Sequence, residues 1–214
     1  GGLLVPEFFP RVSIEELTSM LDMDYAERAK TVLFKYLEEY DEAELLSACK
    51  SAYSKFEDGD GAPLVKLDEN NFIMELFHGP TCAFKDFGAR FMARTMSYFN
   101  RTEDTPLHIL VATSGDTGSA VGSAFHNVPG LDVTILYPDG KISEIQEKQL
   151  STFTGNVRAL KVKGTFDDCQ KLVKTAFTDE ELRKKLRLSS ANSINIARLL
   201  PQSFYYMYAA CVVR

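Results

Sequence analysis

The sequence predicts an α/β protein in which a helical N-terminal segment precedes a mostly parallel sheet with helices on both faces, a three-layer arrangement. Up to about residue 58, helix-start patterns and apolar residues at helical spacing dominate the chain. Beyond a cluster of turn residues, short apolar strands alternate with segments of helix length. This alternation is typical of βαβ units, whose strands pair in parallel.

The N-terminal segment contains three places where a capping oxygen is followed by a carboxylate three residues later, as at the start of a helix. They are Ser13-x-x-Glu16, Asp24-x-x-Glu27 and Asp41-x-x-Glu44. Apolar residues recur at helical spacing after the second and the third. The turn cluster 58–63, rich in glycine and ending in proline, is the best boundary. We therefore expect a helical domain over residues 1–60 and an α/β domain over residues 61–214.

The α/β domain is expected to alternate strands and helices along its whole length. Ser143-x-x-Gln146 and Thr165-x-x-Asp168 supply capping oxygens at two of its helix starts. The predicted strands are 65–67, 72–77, 107–112, 133–137 and 157–162. The predicted helices are 86–99, one from about 119, 143–153, 166–177, and a last one after 193 that Pro201 bends.

Composition excludes several classes of function. The chain has 214 residues, is 45% hydrophobic and carries a net charge of −6, so it offers no overall basic surface for nucleic acid or an anionic membrane. No signal peptide or membrane span is recognisable, and no two of the three histidines have metal-ligand spacing. The four cysteines form no C-x-x-C pair and lie in apolar or helical stretches. We expect a cytoplasmic protein without a metal, whose cysteines are reduced and mostly in the core.

The segment 78–88, His-Gly-Pro-Thr-Cys-Ala-Phe-Lys-Asp-Phe-Gly, contains the most informative lysine of the chain. It is expected to place Lys85 at the end of an apolar strand, after a Gly-Pro turn and before a helix. Apolar packing disfavours the ammonium form of an amine, and a neutral lysine amine is a nucleophile for carbonyl carbons. The alternative is a surface lysine whose stem lies over Phe84 and Phe87.

A second motif, Thr113 to Ala120, follows the apolar strand 107–112 and leads into a helix. A glycine-bearing turn of this kind can point backbone N–H groups at a carboxylate or phosphate. The glycine spacing fits neither the dinucleotide fingerprint nor a P-loop. The alternative is an ordinary tight turn, in which the hydroxyls and glycines serve geometry alone.

A third motif, Ser189 to Arg198, gathers hydroxyls, amides and one guanidinium at the entrance of a helix. Arg198 could point into a cleft next to that helix start. Because serine and asparagine are also the usual helix-capping residues, simple capping is the alternative.

Four blocks of this sequence resemble the threonine synthase family, in the family's order and at plausible spacing. They are E-L-F-H-G-P-T-x-A-F-K-D-F-G, A-T-S-G-D-T-G-S-A, S-E-I-Q-E-K-Q, and N-S-I-N-x-A-R-x-L-P-Q followed by two tyrosines. The opening Gly-Gly-Leu-Leu-Val-Pro resembles a segment near the family's N-terminus. The resemblance covers essentially the whole chain. It implies a fold of the pyridoxal-phosphate fold type II, or tryptophan synthase β-like, kind.

The resemblance also implies an activity. Lys85 would hold pyridoxal 5′-phosphate as a Schiff base, and the enzyme would convert O-phospho-L-homoserine and water to L-threonine and phosphate. The implied cofactor-binding residues are Lys85, Phe84, Ser114, Gly115, Asp116 and Thr117. The implied substrate-binding residues are Thr113, Ser114, Thr117, Asn192, Ser193, Asn195 and Arg198. A monomer or a homodimer is expected.

One family feature has no counterpart here. The glycine-rich Gly-Asn-Phe-Gly loop that holds the cofactor phosphate in the family lies in its other half, and nothing in these 214 residues matches it. The chain also starts without methionine and ends inside an apolar stretch. We therefore expect an N-terminal and middle part of such an enzyme, with a fold incomplete at the C-terminus. A related phospholyase that releases 2-oxobutyrate and phosphate, and a non-catalytic α/β fragment, are the alternative functions.

Overall fold

The computed structural model describes residues 5–57, 61–193 and 195–213. The chain forms two compact units: residues 1–91 with 193–214, and residues 92–192. The domain boundary expected at 58–63 falls partly on residues 58–60, which lie outside the described residues, and the division into domains 1–60 and 61–214 stays a prediction.

The first unit begins with helices α1 (Ile14–Ser19), α2 (Tyr25–Phe34) and α3 (Glu42–Tyr53). The capping boxes at Ser13 and Asp24 are confirmed, because both the forward and the reciprocal hydrogen bond are present. At α3, the Asp41 side chain accepts from the Glu44 backbone N–H at 2.9 Å. The N-terminal segment is therefore helical, as its capping pattern predicts.

Two short strands follow in the first unit, β1 (Leu64–Lys66) and β2 (Phe72–Met74). They pair antiparallel, with Leu64 opposite Met74, and form their own two-stranded sheet. The predicted strand 72–77 is thus too long, and the expectation that Lys85 ends an apolar strand is wrong. Bends and turns separate β2 from Lys85, which is the first residue of helix α4 (Lys85–Asn100). The boundary between the two units falls within this helix.

An aromatic cluster forms the core of the first unit. Tyr25 and Tyr53 meet edge to face at 4.8 Å between ring centroids, and Phe87 lies 4.7 Å from Phe56. Phe87 also contacts Tyr205 at 5.2 Å, so the start of α4 is anchored in this core. The C-terminal part of the unit consists of α9 (Ile196–Leu199), a 3₁₀ turn (Leu200–Gln202) and α10 (Ser203–Val212). Pro201 lies in that turn and interrupts the predicted last helix as expected.

Among the residues described in the second unit, four parallel strands form one sheet in the order β5–β4–β3–β6. The strands are β3 (Leu107–Ala112), β4 (Leu131–Pro138), β5 (Val157–Val162) and β6 (Arg187–Ser189). The helices after α4 are α5 (Asp116–Phe125), α6 (Glu144–Ser151), α7 (Phe166–Thr178) and α8 (Glu180–Lys185). The capping boxes at Ser143 and Thr165 are both present.

Helices cover both faces of this sheet, which confirms the three-layer α/β prediction. A Cβ added at Gly118 of α5 would lie 3.0 Å from Ile135 of β4. The next residue, Leu136, instead packs in a cluster with Cys169 of α7. Because successive residues of a strand point to opposite faces, α5 and α7 lie on opposite faces of the sheet.

Three sequence expectations need correction. Helix α5 begins at Asp116, earlier than residue 119, and strand β6 was not predicted, since its three residues show no strand pattern of their own. Cys49 and Cys169 are buried as expected, but Cys82 is exposed and Cys211 is only half-buried.

In the part of the chain that the structure describes, no helix is long and apolar enough to cross a membrane.

Candidate active site

The lysine of the first motif lies at the N-terminal end of α4 and is half-buried. Its Nζ atom is 4.4 Å from the ring centroid of Phe84, whose side chain is half-exposed. This contact is the one expected for a lysine that lies over an aromatic residue. Phe87, two residues later in the same helix, is fully buried.

Asp86 fixes the turn that leads into the lysine. Its two carboxylate oxygens accept hydrogen bonds from the backbone N–H and the hydroxyl of Thr81, each at 2.8 Å. The side chain is fully buried. Burial raises the pKa of the Asp86 carboxyl, while the hydrogen bonds from Thr81 and the positive charge of Arg90 lower it. Burial outweighs these donors, so the pKa of the Asp86 carboxyl is raised overall, and its hydrogen bonds hold the residues before Lys85.

Arg198 packs against α4 one turn beyond the lysine. A Cβ added at Gly88 would lie 2.4 Å from the Arg198 carbonyl oxygen and 3.0 Å from its Cγ. Residues three apart share one face of a helix, so Gly88 places Arg198 against the face that carries Lys85. Arg198 is almost completely buried, and burial lowers the pKa of its guanidinium. A guanidinium presents paired donors that suit carboxylate or phosphate oxygens.

Asn195 has a structural role at the start of α9. Its side-chain oxygen accepts from the backbone N–H of Ala197 at 3.0 Å, which is helix capping. Ser193 is exposed at the same helix entrance. Of this third motif, Ile194 lies outside the described residues, and Asn192 belongs to the second unit. Contact of these side chains with a ligand stays a prediction.

The sequence analysis missed two side chains next to Arg198. The Tyr205 hydroxyl donates to the side-chain oxygen of Gln202. The Gln202 amide nitrogen would lie 3.1 Å from a Cβ at Gly88, so this pair borders the same face of α4. Burial, with a smaller effect from the neighbouring Tyr206, raises the pKa of the Tyr205 phenol. Gln202 and Tyr205 both lie in the fourth block that resembles the threonine synthase family, and this block was the sequence signal that could have pointed to them.

The second motif forms the strand-to-helix turn between β3 and α5 in the second unit. Thr113 is buried, and its hydroxyl oxygen accepts from the backbone N–H groups of Gly115 at 3.0 Å and Gly118 at 2.8 Å. The Thr113 hydroxyl therefore shapes the turn. Its expected contact with a substrate stays a prediction.

Gln146 of α6 completes this turn and was not singled out from the sequence. Gly115 has φ +139°, and a Cβ there would lie 2.3 Å from the Gln146 side-chain oxygen. The Gln146 amide donates to the Asp116 carboxylate at 2.6 Å. Its side-chain oxygen also accepts from the Ser143 backbone N–H at 3.2 Å. Gln146 thus links the start of α6 to the start of α5.

This turn leads into the N-terminus of α5. Gly115 occupies the position before the helix and has no side chain to cap it. Ser114 is exposed and Thr117 is half-buried, so hydroxyl groups flank the first turn of α5. Backbone N–H groups and the helix dipole at such a start favour a carboxylate or a phosphate.

The predicted site residues therefore form two groups, one in each unit. Lys85, Phe84, Asn195 and Arg198 belong to the first unit, with Ser193 at its edge. Thr113 to Thr117 and Asn192 belong to the second unit. Within each unit the structure brings together residues that are far apart in the chain: Arg198 with the lysine helix, and Gln146 with the turn before α5.

The class of protein is shown by comparison with known proteins. Residues 57–200 match the family described as "Pyridoxal-phosphate dependent enzyme". The chain belongs to this family. Residues 1–53 match the threonine synthase N terminus.

Individual relatives point the same way. The chain is 46% identical over 208 residues to threonine synthase of Escherichia coli strain K12, covering 97% of this chain and 47% of that protein. It is similar to the crystal structure of PLP-bound threonine synthase from Brucella melitensis, with a TM-score of 0.93 and 41% identity over 99% of this chain and 46% of the other. The yeast threonine synthase structure gives a TM-score of 0.91 at 38% identity, over 99% of this chain and 44% of the other.

The chain thus spans about half the length of the curated relatives it matches. The predicted resemblance to the threonine synthase family and the predicted fold class are confirmed by these matches. The individual site residues are not tested by them and stay predictions.

Proposed function

We propose that this chain contributes the lysine-bearing part of a threonine synthase, which converts O-phospho-L-homoserine and water to L-threonine and phosphate. The observation that carries the proposal is Lys85 at the first residue of α4, with Asp86 fixing the turn before it and Arg198 packed one turn beyond. The similarity to threonine synthases over nearly the whole chain supports this activity in particular.

The residues present fit the aldehyde-binding end of pyridoxal 5′-phosphate. A half-buried amine at the start of a helix, beside the Phe84 ring, can bond to an aldehyde. Lys85 and Phe84 would hold this end of the cofactor, and the Ser114–Thr117 turn would contribute through its backbone N–H groups. When bound, the cofactor withdraws electrons from the substrate's α-carbon and so stabilises negative charge there.

Lys85 has the second role of moving protons. Its amine, when free and neutral, takes a proton from Cα of the substrate and transfers protons at the neighbouring carbons. In the overall reaction, phosphate leaves Cγ with the bonding electron pair, and Cγ gains a proton. Cβ loses a proton and bonds to the hydroxyl of water. The remaining proton of that water leaves with phosphate, so the atoms balance.

Two groups of residues are proposed partners for the anionic groups of the substrate. The turn before α5, with Ser114 and Thr117, suits the substrate carboxylate, because a helix start favours a negative charge. Arg198 suits the phosphate, because the guanidinium presents paired donors to phosphate oxygens. Asn192, Ser193 and Asn195 are further partners proposed for that phosphate.

We place the protein in the cytoplasm and expect a monomer or a homodimer that acts on a small molecule. All four cysteines are free thiols, which suits a reducing compartment.

Product analysis on the protein expressed from its complete reading frame tests the function. With O-phospho-L-homoserine and pyridoxal 5′-phosphate, we expect equal amounts of threonine and phosphate. Lys85→Ala should lower turnover by about 10³-fold, the scale of losing a general acid–base group. Lys174→Ala, which removes an exposed lysine of α7, is the matched control and should retain activity.

Two results would contradict the proposal. Phosphate with 2-oxobutyrate and no threonine would identify the related phospholyase. Turnover that is unaffected by Lys85→Ala would place the chemistry on another residue.

A further inference from the structure

The turn before Lys85 depends on one buried side chain that the proposed chemistry does not use directly. Asp86 follows Lys85 in the chain, yet its carboxylate reaches back to Thr81 and accepts both of that residue's donors at 2.8 Å. Its own backbone N–H donates to the Ala83 carbonyl at 2.9 Å. Together these three hydrogen bonds close the segment 81–86 into a loop that contains Phe84 and Lys85.

The fit around the carboxylate is close. A Cβ added at Gly79 would lie 2.6 Å from one Asp86 oxygen, so only glycine allows this approach. The backbone N–H of Cys82 donates to the Gly79 carbonyl at 2.9 Å, which joins the Gly-Pro turn to the same loop. Asp86 is completely buried, so water does not compete for its oxygens.

The side chains between Thr81 and Lys85 are only partly buried. Phe84 is half-exposed, Cys82 and Pro80 are exposed, and Ala83 is only half-buried. Side-chain packing therefore holds this part of the loop weakly. The buried carboxylate and its donors constrain the loop, since hydrogen bonds shielded from water are stronger than exposed ones.

We propose that Asp86 is a positioning residue for Lys85: by accepting both donors of Thr81, its carboxylate holds the 81–86 loop so that the lysine amine is presented in one place. The inference deepens the proposed function and rests on it, since it assigns a role in presenting the amine to the cofactor aldehyde.

The second unit contains a matched arrangement that serves as a control. Asp168 accepts from the backbone N–H of Thr165 at 2.7 Å and from its hydroxyl at 2.8 Å. A Cβ added at Gly164 would lie 2.7 Å from an Asp168 oxygen, as at Gly79. This cap starts α7, is exposed and contains no lysine within its loop. Asp168→Asn therefore makes the same chemical change without touching the lysine segment.

The experiment measures how fast Lys85 captures pyridoxal 5′-phosphate. The protein from the complete reading frame is mixed with the cofactor and reduced with borohydride at intervals, and peptide mapping quantifies the pyridoxyl group on Lys85. We expect Asp86→Asn and Thr81→Val each to slow labelling about tenfold, equivalent to about 1.4 kcal/mol in the barrier. Thr81→Ser keeps the hydroxyl donor and should restore labelling to within about twofold of wild type. Asp168→Asn should also stay within about twofold.

A second readout uses the protein without cofactor. Hydrogen exchange at the Thr81 amide should accelerate in Asp86→Asn, because that amide donates to the carboxylate. If Asp86→Asn does not fold, the Thr81→Val and Thr81→Ser pair decides the question alone.

Two outcomes would overturn the inference. The first is that Lys85 is labelled at the wild-type rate in Thr81→Val. The same result in Asp86→Asn counts equally if that variant folds and its Thr81 amide exchanges hydrogen faster. The other is equal slowing in Asp168→Asn, which would mean a general loss of stability. If wild type captures no cofactor at Lys85, the proposed function fails. The positioning role is then judged by reductive methylation of Lys85 with formaldehyde. The rate of this methylation should still fall in Asp86→Asn, and an unchanged rate would refute the role.

Discussion

Gly88→Ala should push Arg198 away from α4, and the resulting loss in the free energy of unfolding follows from the distances in the structure. The added Cβ would lie 2.4 Å from the Arg198 carbonyl oxygen, about 1 Å less than the 3.4 Å at which ordinary contact begins. That oxygen belongs to the backbone of α9, so relief requires the two helices to move apart. Overpacking of this kind costs about 1–3 kcal/mol, and a backbone neighbour places the cost near the upper end.

Helix propensity acts in the opposite direction. Replacing glycine by alanine inside a helix gains about 1 kcal/mol, so the net loss in the free energy of unfolding should be about 2 kcal/mol. For a protein of this size that corresponds to a fall in Tm of roughly 4–8 °C. Because Arg198 is the proposed phosphate partner, KM for O-phospho-L-homoserine should rise as well.

The assay compares Gly88→Ala with Gly122→Ala by urea and thermal unfolding. Gly122 also lies inside a helix, and a Cβ there would come within 2.4 Å of an atom, but that atom belongs to the half-buried ring of Phe153. A side chain can rotate away where a backbone carbonyl cannot, so Gly122→Ala should change stability by less than about 1 kcal/mol. A Gly88→Ala protein that is more stable than wild type by the propensity gain would refute the reasoning.

Two further predictions concern single side chains. Thr113→Val removes the oxygen that accepts from Gly115 and Gly118, so it should lower the free energy of unfolding by about 1–3 kcal/mol and raise KM. Thr113→Ser keeps that oxygen and should stay near wild type in urea unfolding and kinetics. An unchanged KM in a folded Thr113→Val would show that the turn is not part of the site. Burial raises the pKa of the Cys49 thiol to about 12. At pH 8, iodoacetamide should therefore modify exposed Cys82 and leave Cys49 unmodified until the protein unfolds. Rapid modification of Cys49 in the native state would contradict its burial.

The sequence predicted those elements whose signals are local. Strands β3 and β5 match the predicted ranges 107–112 and 157–162, and α7 differs by one residue at its end. Their apolar runs and the capping box at Thr165 lie within the elements themselves. Such patterns need no knowledge of the rest of the chain.

The elements that the sequence missed depend on distant partners. Strand β6 is three residues long and exists because Arg187 to Ser189 pair with Leu107 to Ile109 of β3. Strand β2 ends at Met74, where its pairing with Leu64 of β1 ends, although the apolar residues continue to Phe77. Pairing with another strand decides these boundaries, and the strand's own residues do not report it.

The candidate site shows the same difference between features with local sequence signals and contacts with distant residues. The sequence singled out Lys85 and the turn before α5 as candidates, because a lysine among aromatic residues and a glycine turn after a strand are local signals. Their roles stay predictions. The contacts between distant residues were not predicted: Gln146 reaches the turn from α6, and Arg198, which the third motif had named, reaches α4 from α9.

Two glycines show why such partners escape a local pattern. Gly88 and Gly115 carry no functional group, yet each sets how close a distant side chain or carbonyl can come to a predicted site residue. At Gly115 the requirement is double, because φ is +139° and the Gln146 oxygen occupies the space a Cβ would need. At Gly88 the backbone is ordinary helix, so the close approach of Arg198 and Gln202 explains the glycine. A glycine inside a predicted helix, beside a candidate catalytic residue, therefore indicates where another part of the chain must pack.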